Sequence, residues 1–247
     1  MTQKFPRIIA HRGSPKLAPE NTLASFRRAA ADGAKWVEFD ASLTADNRVV
    51  VFHDDDLDRT SDGTGPLAQT TFDVISNLDA GSWFAPQFRG EMIPSLDEAI
   101  ELFAELDLAF NMELKVDRGR EVELATVALP IAASVWGNRS PMPIVSSFSR
   151  QALAAAKEIL PAWPRAFLFD HLPDDWRDVA KALDVVSLNG SQRHLDAQQV
   201  AAMKDAGYGV LAYTVNERAR AETLFSWSVD GIFTDIPGEM LQAFSEI

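Results

Sequence analysis

Apolar positions along the chain switch period again and again. Short runs rich in β-branched and aromatic residues alternate with Ala-, Leu- and Glu-rich stretches of helical spacing, the pattern of βα units around a parallel sheet. Nine segments read as strands: Ile8 to Ala10, Trp36 to Leu43, Val49 to His53, Ala109 to Leu114, Ile144 to Ser147, Ala166 to Phe169, Val185 to Leu188, Val210 to Val215 and Gly231 to Thr234. The second and third are joined only by Thr44-Ala45-Asp46-Asn47-Arg48, and a parallel crossover needs about a dozen residues or more, so they are expected to form an antiparallel hairpin. Ala41 to His53 then projects from the top of a closed barrel and eight strands remain. Folding back around Ala45 to Asn47 sets His53 opposite Phe39 and Asp40. The expected fold is α/β, a (β/α)8 TIM barrel with a small insertion after the second strand.

That insertion spans Asp54 to Pro94, rich in Asp, Gly, Ser and Thr and without a helical period. Its aromatics Trp83, Phe84 and Phe88 are expected to form a small core of its own. Regular helix resumes with the capping box Ser95-Leu96-Asp97-Glu98. Further helices are expected at Glu121 to Val135, Arg150 to Leu160, Asp175 to Leu183, Asp196 to Asp205, Glu217 to Trp227 and Pro237 to Phe244.

A length of 247 residues suits one barrel domain, and 47% apolar with 24% charged residues is the make-up of an ordinary globular chain. The net charge of -13 argues against nucleic acid and anionic membrane surfaces as partners, since both are gripped by clustered Lys and Arg. An anionic substrate must therefore meet a local positive site. The absence of cysteine removes thiolate nucleophiles, disulfides and Cys-ligated zinc. Met1 to Arg7 has no apolar core of a secretory signal and no run of ~18 apolar residues occurs, so a cytoplasmic protein is expected.

Parallel barrels carry their chemistry at the C-terminal ends of strands, where Ala10-His11-Arg12-Gly13 places His11 and Arg12. Glu38 and Asp40, two apart on the second strand, point to one side, and Glu113 and Lys115 repeat that geometry on the next barrel strand. Three converging carboxylates suit a hard cation, while Lys115 and Arg12 suit the remaining charge of a phosphate; a purely structural ion network is the alternative. His53-Asp54 ends the hairpin's returning arm near Asp40, so two histidines flank the acids, as acid–base phosphoryl transfer requires. Asp54, Asp56 and Asp58 imitate an EF-hand opening, but Arg59 and Gly65 stand where Gly and Glu are needed. Phosphate-cradling Gly loops and a Gly-x-Ser-x-Gly elbow are both missing.

Taken in order, Ala10-His11-Arg12-Gly13, Ala18-Pro19-Glu20-Asn21-Thr22, Val37-Glu38-Phe39-Asp40, Phe52-His53-Asp54, Met112-Glu113-Leu114-Lys115, Ser146-Ser147-Phe148, Tyr213-Thr214-Val215-Asn216 and Gly231-Ile232-Phe233-Thr234-Asp235 resemble the glycerophosphodiester phosphodiesterase family, nearest to its cytosolic bacterial branch. The resemblance implies Glu38, Asp40 and Glu113 as metal ligands, His11 and His53 as the acid–base pair, Arg12 and Lys115 as phosphate contacts, and Asp54 to Pro94 as a segment capping the barrel. It also implies one divalent cation and a small-molecule glycerophosphodiester as substrate; Mg2+ is preferred over Ca2+ for a cytosolic site, though spacing does not decide between them. The family usually has Trp where Tyr213 stands, and Tyr213 is expected to line the site.

Ser147 and Asn189, at strand ends, are candidates for substrate contact, with helix capping as the alternative for each. Asn21 is expected to cap the first helix, with Glu20 ordering the site from behind, and His171 and His194 to lie on the surface. The expected reaction is metal-dependent hydrolysis to sn-glycerol 3-phosphate and an alcohol, passing through a cyclic phosphate. Rival readings are a related barrel phospholipase D acting on lysophospholipids or sphingolipids, and a silent phosphate- or metal-binding barrel. Monomer and homodimer are both left open.

Overall fold

The computed structural model describes residues 5–115 and 119–244; Met1 to Lys4, part of the N-terminal reading above, lie outside them. The strands are β1 (Ile8–His11), β2 (Trp36–Leu43), β3 (Val49–Val51), β4 (Ala109–Leu114), β5 (Ile144–Ser147), β6 (Arg165–Phe169), β7 (Ser187–Ser191), β8 (Gly209–Tyr213) and β9 (Gly231–Thr234). Eight of them run parallel in the order β1-β9-β8-β7-β6-β5-β4-β2, and a β1–β2 pairing closes the ring. The helices packed outside are α1 (Leu23–Ala31), α3 (Leu96–Glu105), α4 (Glu121–Trp136), α5 (Arg150–Ile159), α6 (Trp176–Leu183), α7 (Ala197–Asp205), α8 (Arg218–Ser226) and α9 (Pro237–Phe244), while the short α2 (Phe72–Ile75) belongs to the insertion. This is the expected TIM barrel plus one extra strand. Among the described residues no helix is long and apolar enough to cross a membrane.

The extra strand is the expected hairpin arm. β3 pairs antiparallel with β2 in the register Ala41↔Val51, Ser42↔Val50 and Leu43↔Val49. The Phe52 amide extends the ladder by donating to the Asp40 carbonyl at 3.0 Å, which puts His53 level with Phe39.

Strand alternation divides the barrel wall into two environments. Outward residues of β2 and β4, Val37, Phe39, Phe110 and Met112, pack with Phe26 of α1 and Phe103 of α3 under the helix layer. Phe26 and Phe103 meet edge to face with ring centroids 4.8 Å apart, a favoured aromatic arrangement. Inside, the floor is a layer of Ile9, Trp36, Ala109, Ile144, Ala166, Leu211 and Phe233. Above this apolar floor the inward positions turn polar.

Residues 52–94 lead from the hairpin arm to α3, which begins at the anticipated capping box with the Ser95 amide donating to Glu98 at 2.9 Å. The insertion's core is not the aromatic trio expected. Leu57, Leu67, Ile75, Ala80 and Ile93 close instead on Val50 and Phe52 of the arm. Trp83 is 39% exposed, and it stacks edge to face on Phe84, itself stacked on Phe88, as a surface cluster. Spacing explains the difference: Trp83, Phe84 and Phe88 sit near a tight turn, where the Trp83 indole donates to the Ala80 carbonyl at 2.8 Å.

Candidate active site

Each polar side chain over the floor is delivered by a strand end. His11 closes β1, and its Nδ1 donates to Asp235 Oδ1 at 2.7 Å, which leaves Nε2 toward the barrel axis, 3.9 Å from Glu38 Oε2. Asp235 follows β9 and is held in turn by Asn216, whose Nδ2 donates to Asp235 Oδ2 at 2.6 Å and whose Oδ1 accepts the Asp235 amide at 2.8 Å. Burial pushes the Asp235 carboxyl up, but the His11 and Asn216 hydrogen bonds and nearby positive charge bring it below its ordinary value. Asp235 is thus an acceptor that fixes the His11 tautomer.

The chain then turns sharply. Arg12 adopts φ 52° and Gly13 φ 91°. A Cβ on Gly13 would stand 2.3 Å from Ser25 Oγ, so only glycine fits under α1. The turn swings Arg12 back over the mouth, where Nη1 donates to Glu20 at 2.8 Å and Nε lies 3.2 Å from Asp40 Oδ2 without hydrogen-bond alignment.

Glu38 and Asp40 are 4% and 1% exposed on the inner face of β2. Glu113 of β4 lies in register with Asp40, and Glu38 in register with Asn111. One oxygen from each of Glu38, Asp40 and Glu113 falls within a 4.8 Å cluster. Lys115 reaches into it, its Nζ 3.1 Å from Glu113 Oε1 and 3.5 Å from Asp40 Oδ1. Burial raises all three acids first. For Glu38 the charges of Asp40 and Glu113 add to that, and its carboxyl lies well above the usual range. Glu113 rises to about 7 through burial and the Asp40 charge, against the pull of Lys115. Asp40 alone ends below the usual range, because Arg12, Lys115 and His53 outweigh its burial. Mutual repulsion thus adds to burial in pushing Glu38 and Glu113 up, and Arg12 and Lys115 work against it.

Two buried acceptors here lack any hydrogen bond, Asp40 Oδ1 and Asn111 Oδ1. Orphaned oxygens in a dry site are costly unless something electropositive faces them. An all-oxygen donor set with an unmet carboxylate lone pair fits a hard divalent cation held by Glu38, Asp40 and Glu113.

His53 stands across the site on the hairpin arm. Its Nδ1 donates to Asp54 Oδ1 at 2.6 Å, so both histidines are backed by an aspartate and turn Nε2 to the cavity. Burial, with Arg12 and Lys115 nearby, brings the His53 imidazole below its ordinary value against the charge of Asp40. Arg59 of the insertion grips Asp54 with Nε and Nη2 and forks onto both oxygens of Glu20 at 2.8 and 2.9 Å. Its hydrogen bond holds Asp54 down to about 2. A continuous line of charge, Arg12–Glu20–Arg59–Asp54–His53, therefore joins β1 to the insertion.

His11, Arg12, Glu38, His53, Glu113, Lys115 and Tyr213 line one cavity of ≈ 230 Å³, together with Asn111, Ser146, Phe148, Leu168, Thr214 and Phe233. Its back wall is polar and its front, Phe148, Leu168, Tyr213 and Phe233, is largely apolar. The Tyr213 hydroxyl donates to the Phe169 carbonyl at 2.8 Å, and its ring meets Phe148 at near right angles with centroids 5.9 Å apart.

Two expected substrate contacts are not brought to the cavity lining. Ser147 is fully buried, donates to the Leu114 carbonyl at 2.7 Å and accepts the Ser149 amide at 3.0 Å, so it builds the β5–α5 turn. Its neighbour Ser146 is the one that faces inward and accepts from Asn111 Nδ2 at 2.8 Å. Asn189 is buried in the barrel and accepts from Ser187 Oγ at 3.0 Å. Asn21 is not the helix cap either. Thr22 caps α1, while Asn21, at φ 57°, donates to Asp40 Oδ2 at 2.8 Å. Asp235, Asn216, Arg59 and Asn111 have no role in the sequence reading; Asp235 and Asn216 lie within two of the motifs that carry the resemblance, and strand-end position is the available signal.

A family model described as the Glycerophosphoryl diester phosphodiesterase family matches residues 11–239, which span from the first histidine into α9. The chain belongs to that family. A relative named glycerophosphodiester phosphodiesterase, from Caldanaerobacter subterraneus subsp. tengcongensis, is 34% identical over 239 residues, covering 95% of this chain and 96% of its own. A solved phosphodiesterase from Oleispira antarctica, in complex with the product sn-glycerol-3-phosphate, superposes with a TM-score of 0.95 at 38% identity, covering 98% of this chain and 97% of that one. The crystal structure of a glycerophosphodiester phosphodiesterase from Agrobacterium tumefaciens matches at TM-score 0.76 and 26% identity over the whole of both chains. Family membership makes this chain an enzyme of phosphodiester hydrolysis.

Proposed function

We propose that the enzyme hydrolyses glycerophosphodiesters to sn-glycerol 3-phosphate and an alcohol, using His11 and His53 as its acid–base pair and one divalent cation. The observation that carries this reading is the meeting of two aspartate-backed histidines with Glu38 and Glu113 in one cavity, with Asp40 buried beside both acids. The product bound by the Oleispira antarctica relative supports the substrate class.

A cation held by Glu38, Asp40 and Glu113 would act as a Lewis acid, withdrawing charge from the phosphodiester. Arg12 and Lys115 hold the non-bridging oxygens, and burial keeps them from water's screening. One histidine takes the proton of the glycerol 2-hydroxyl, whose oxygen attacks phosphorus. The other gives its proton to the departing alkoxide, and a five-membered cyclic phosphate results. With the roles reversed, the second histidine deprotonates a water that opens the ring, and the first reprotonates the 2-oxygen. Asp235 and Asp54 keep each Nδ1 protonated, so only Nε2 exchanges protons at the cavity.

The reading continues in three smaller points. Residues 54–94 cap one barrel domain and hold His53 through Arg59. Mg2+ is preferred over Ca2+ because a cytoplasmic enzyme with few, rigidly held carboxylates suits the smaller ion. Tyr213 lines the apolar front against the glycerol backbone, whereas Ser147 supports the wall from behind and Asn189 fills the barrel interior beside Ser187.

Release of glycerol 3-phosphate from glycerophosphocholine, measured with EDTA, Mg2+ or Ca2+, tests the proposal. Metal-dependent release that vanishes in His11→Ala is expected. Folded wild type that releases nothing with either metal but cleaves lysophosphatidylcholine would transfer the assignment to the lysophospholipid reading; cleavage of neither would leave a binding barrel.

A further inference from the structure

A second group of metal-binding side chains stands on the barrel rim, outside the cavity just described. Asp170 and His171 directly follow β6, and His194 lies three residues beyond β7. Asp170 Oδ2 is 3.6 Å from Nε2 of His171 and 3.6 Å from Nε2 of His194. The two imidazole rings lie over one another with centroids 3.8 Å apart and planes 32° from parallel. A separation of 3.6 Å is too long for a hydrogen bond, so the three groups converge without bonding one another.

We propose that Asp170, His171 and His194 form a second, solvent-facing site for a borderline transition-metal ion of the Zn2+ class. Ligand atoms on arms of ~2.1 Å at tetrahedral angles are about 3.4 Å apart, close to the two separations seen here. One donor atom from each residue lies within 4.8 Å of the others. Two imidazoles and a carboxylate with a free position toward water suit Zn2+, Co2+ or Ni2+, whereas the all-oxygen cluster in the barrel suits Mg2+ or Ca2+. The chemistry of the two clusters therefore separates their ions.

The loops that carry these residues are fixed before any ion arrives. Phe169 and Gly190 are paired in the β6–β7 register, and the His194 amide donates to the Ser191 carbonyl at 3.0 Å. Arg220 of α8 pins the same loop from behind, donating to the Gln192 carbonyl and to the Leu195 carbonyl. Gly190 has room for no Cβ, which would meet the Phe169 ring at 2.7 Å, so the two strand ends approach closely. Occupancy would brace the rim beside Tyr213, whose hydroxyl is bonded to the carbonyl of Phe169, the residue before Asp170.

The test uses the untagged full chain in excess Mg2+, titrated with Co2+ while its visible absorption is followed. Wild type is expected to take up Co2+ with the intense band of a four- or five-coordinate, nitrogen-ligated ion, displaced by Zn2+. An ion in the all-oxygen cluster gives only a weak octahedral band. His171→Ala and His194→Ala are expected to weaken the intense band's Co2+ affinity by at least about tenfold, the loss that even an outer-shell partner of a metal ligand produces. Zn2+ should raise the melting temperature of wild type and not of these variants, whose metal-free melting and Mg2+-supported activity stay at the wild-type level. Absence of the intense band at micromolar Co2+, or equal affinity in the variants, would overturn the site; neither result bears on hydrolysis in the barrel.

Discussion

The floor and the mouth of this barrel are built on opposite terms. At the floor, Ile9, Trp36, Ala109, Ile144, Ala166, Leu211 and Phe233 fill the interior with apolar atoms. Arg165, next to Ala166 and 3% exposed, spends its donors on the carbonyls of Leu183, Trp163 and Asp184 and on the Asp184 carboxylate. Two to four residues further along the same strands, Glu38, Asp40 and Glu113 crowd together with an unmet acceptor on Asp40 and another on Asn111. One end maximises stability and the other stores unsatisfied electrostatics for a ligand, the exchange expected where binding and chemistry are concentrated.

The sharpest way to break the comparison is to remove mouth residues and look for a loss of stability. His11→Ala and His53→Ala are each expected to lower kcat by about 10²–10⁴-fold, the usual worth of a positioned acid or base, with melting temperature essentially unchanged. Trp36→Ala should do the reverse: about 3–5 kcal/mol of stability lost in denaturant titration, with kcat per folded molecule close to wild type. Asp40→Asn should remove the rise in melting temperature that Mg2+ gives wild type, since an ion bound only by the native state stabilises it by mass action; an undiminished Mg2+ shift would remove Asp40 from the ligand set. Arg59→Met should cost about tenfold in kcat and alter the pH–rate profile, because Asp54 loses its clamp and His53 its orientation, with KM for the diester little changed. Smallest of all, Ser147→Ala should leave KM within about twofold and cost only about 0.5–1.5 kcal/mol of stability, as expected of a turn hydrogen bond.

Much of this contrast was legible in the residues alone. β2, β4, β5 and β9 have the bounds read from sequence, because their apolar runs are bounded by clear turns. Alternation on β2 and β4 then put Glu38, Asp40, Glu113 and Lys115 together without further information. β7 was displaced: Val185 and Val186 drew the strand forward, while the observed Ser187–Ser191 has polar residues facing the interior and reads as loop by propensity. Ser147 was chosen over Ser146 because both are strand-end serines and only the closed barrel reveals which faces inward. Asn21 was read as a cap since that is the commoner role; its left-handed backbone, which redirects the amide to Asp40, leaves no trace in composition. Arg59 was out of reach for a different reason. Its partners Glu20 and Asp54 are brought together by the path of an insertion that has no periodicity to follow.

His11 belongs to the wall of the barrel, but His53 follows β3, an arm that pairs with β2 and packs Val50 against the insertion and Val49 and Val51 into the core under the helices. Half of the proposed acid–base pair is therefore carried on a segment running from Val49 to Pro94, joined to the rest by the β2–β3 ladder, the Glu20–Arg59 fork and further bonds such as the Ala24 amide to Glu91 and the Phe72 amide to Asp46. A protein engineer could exchange that segment between barrels as a unit, retuning reach and shape at the mouth while the wall keeps its ligands. The interchangeable part would need to bring its own histidine, its own aspartate and an arginine to lock them in place.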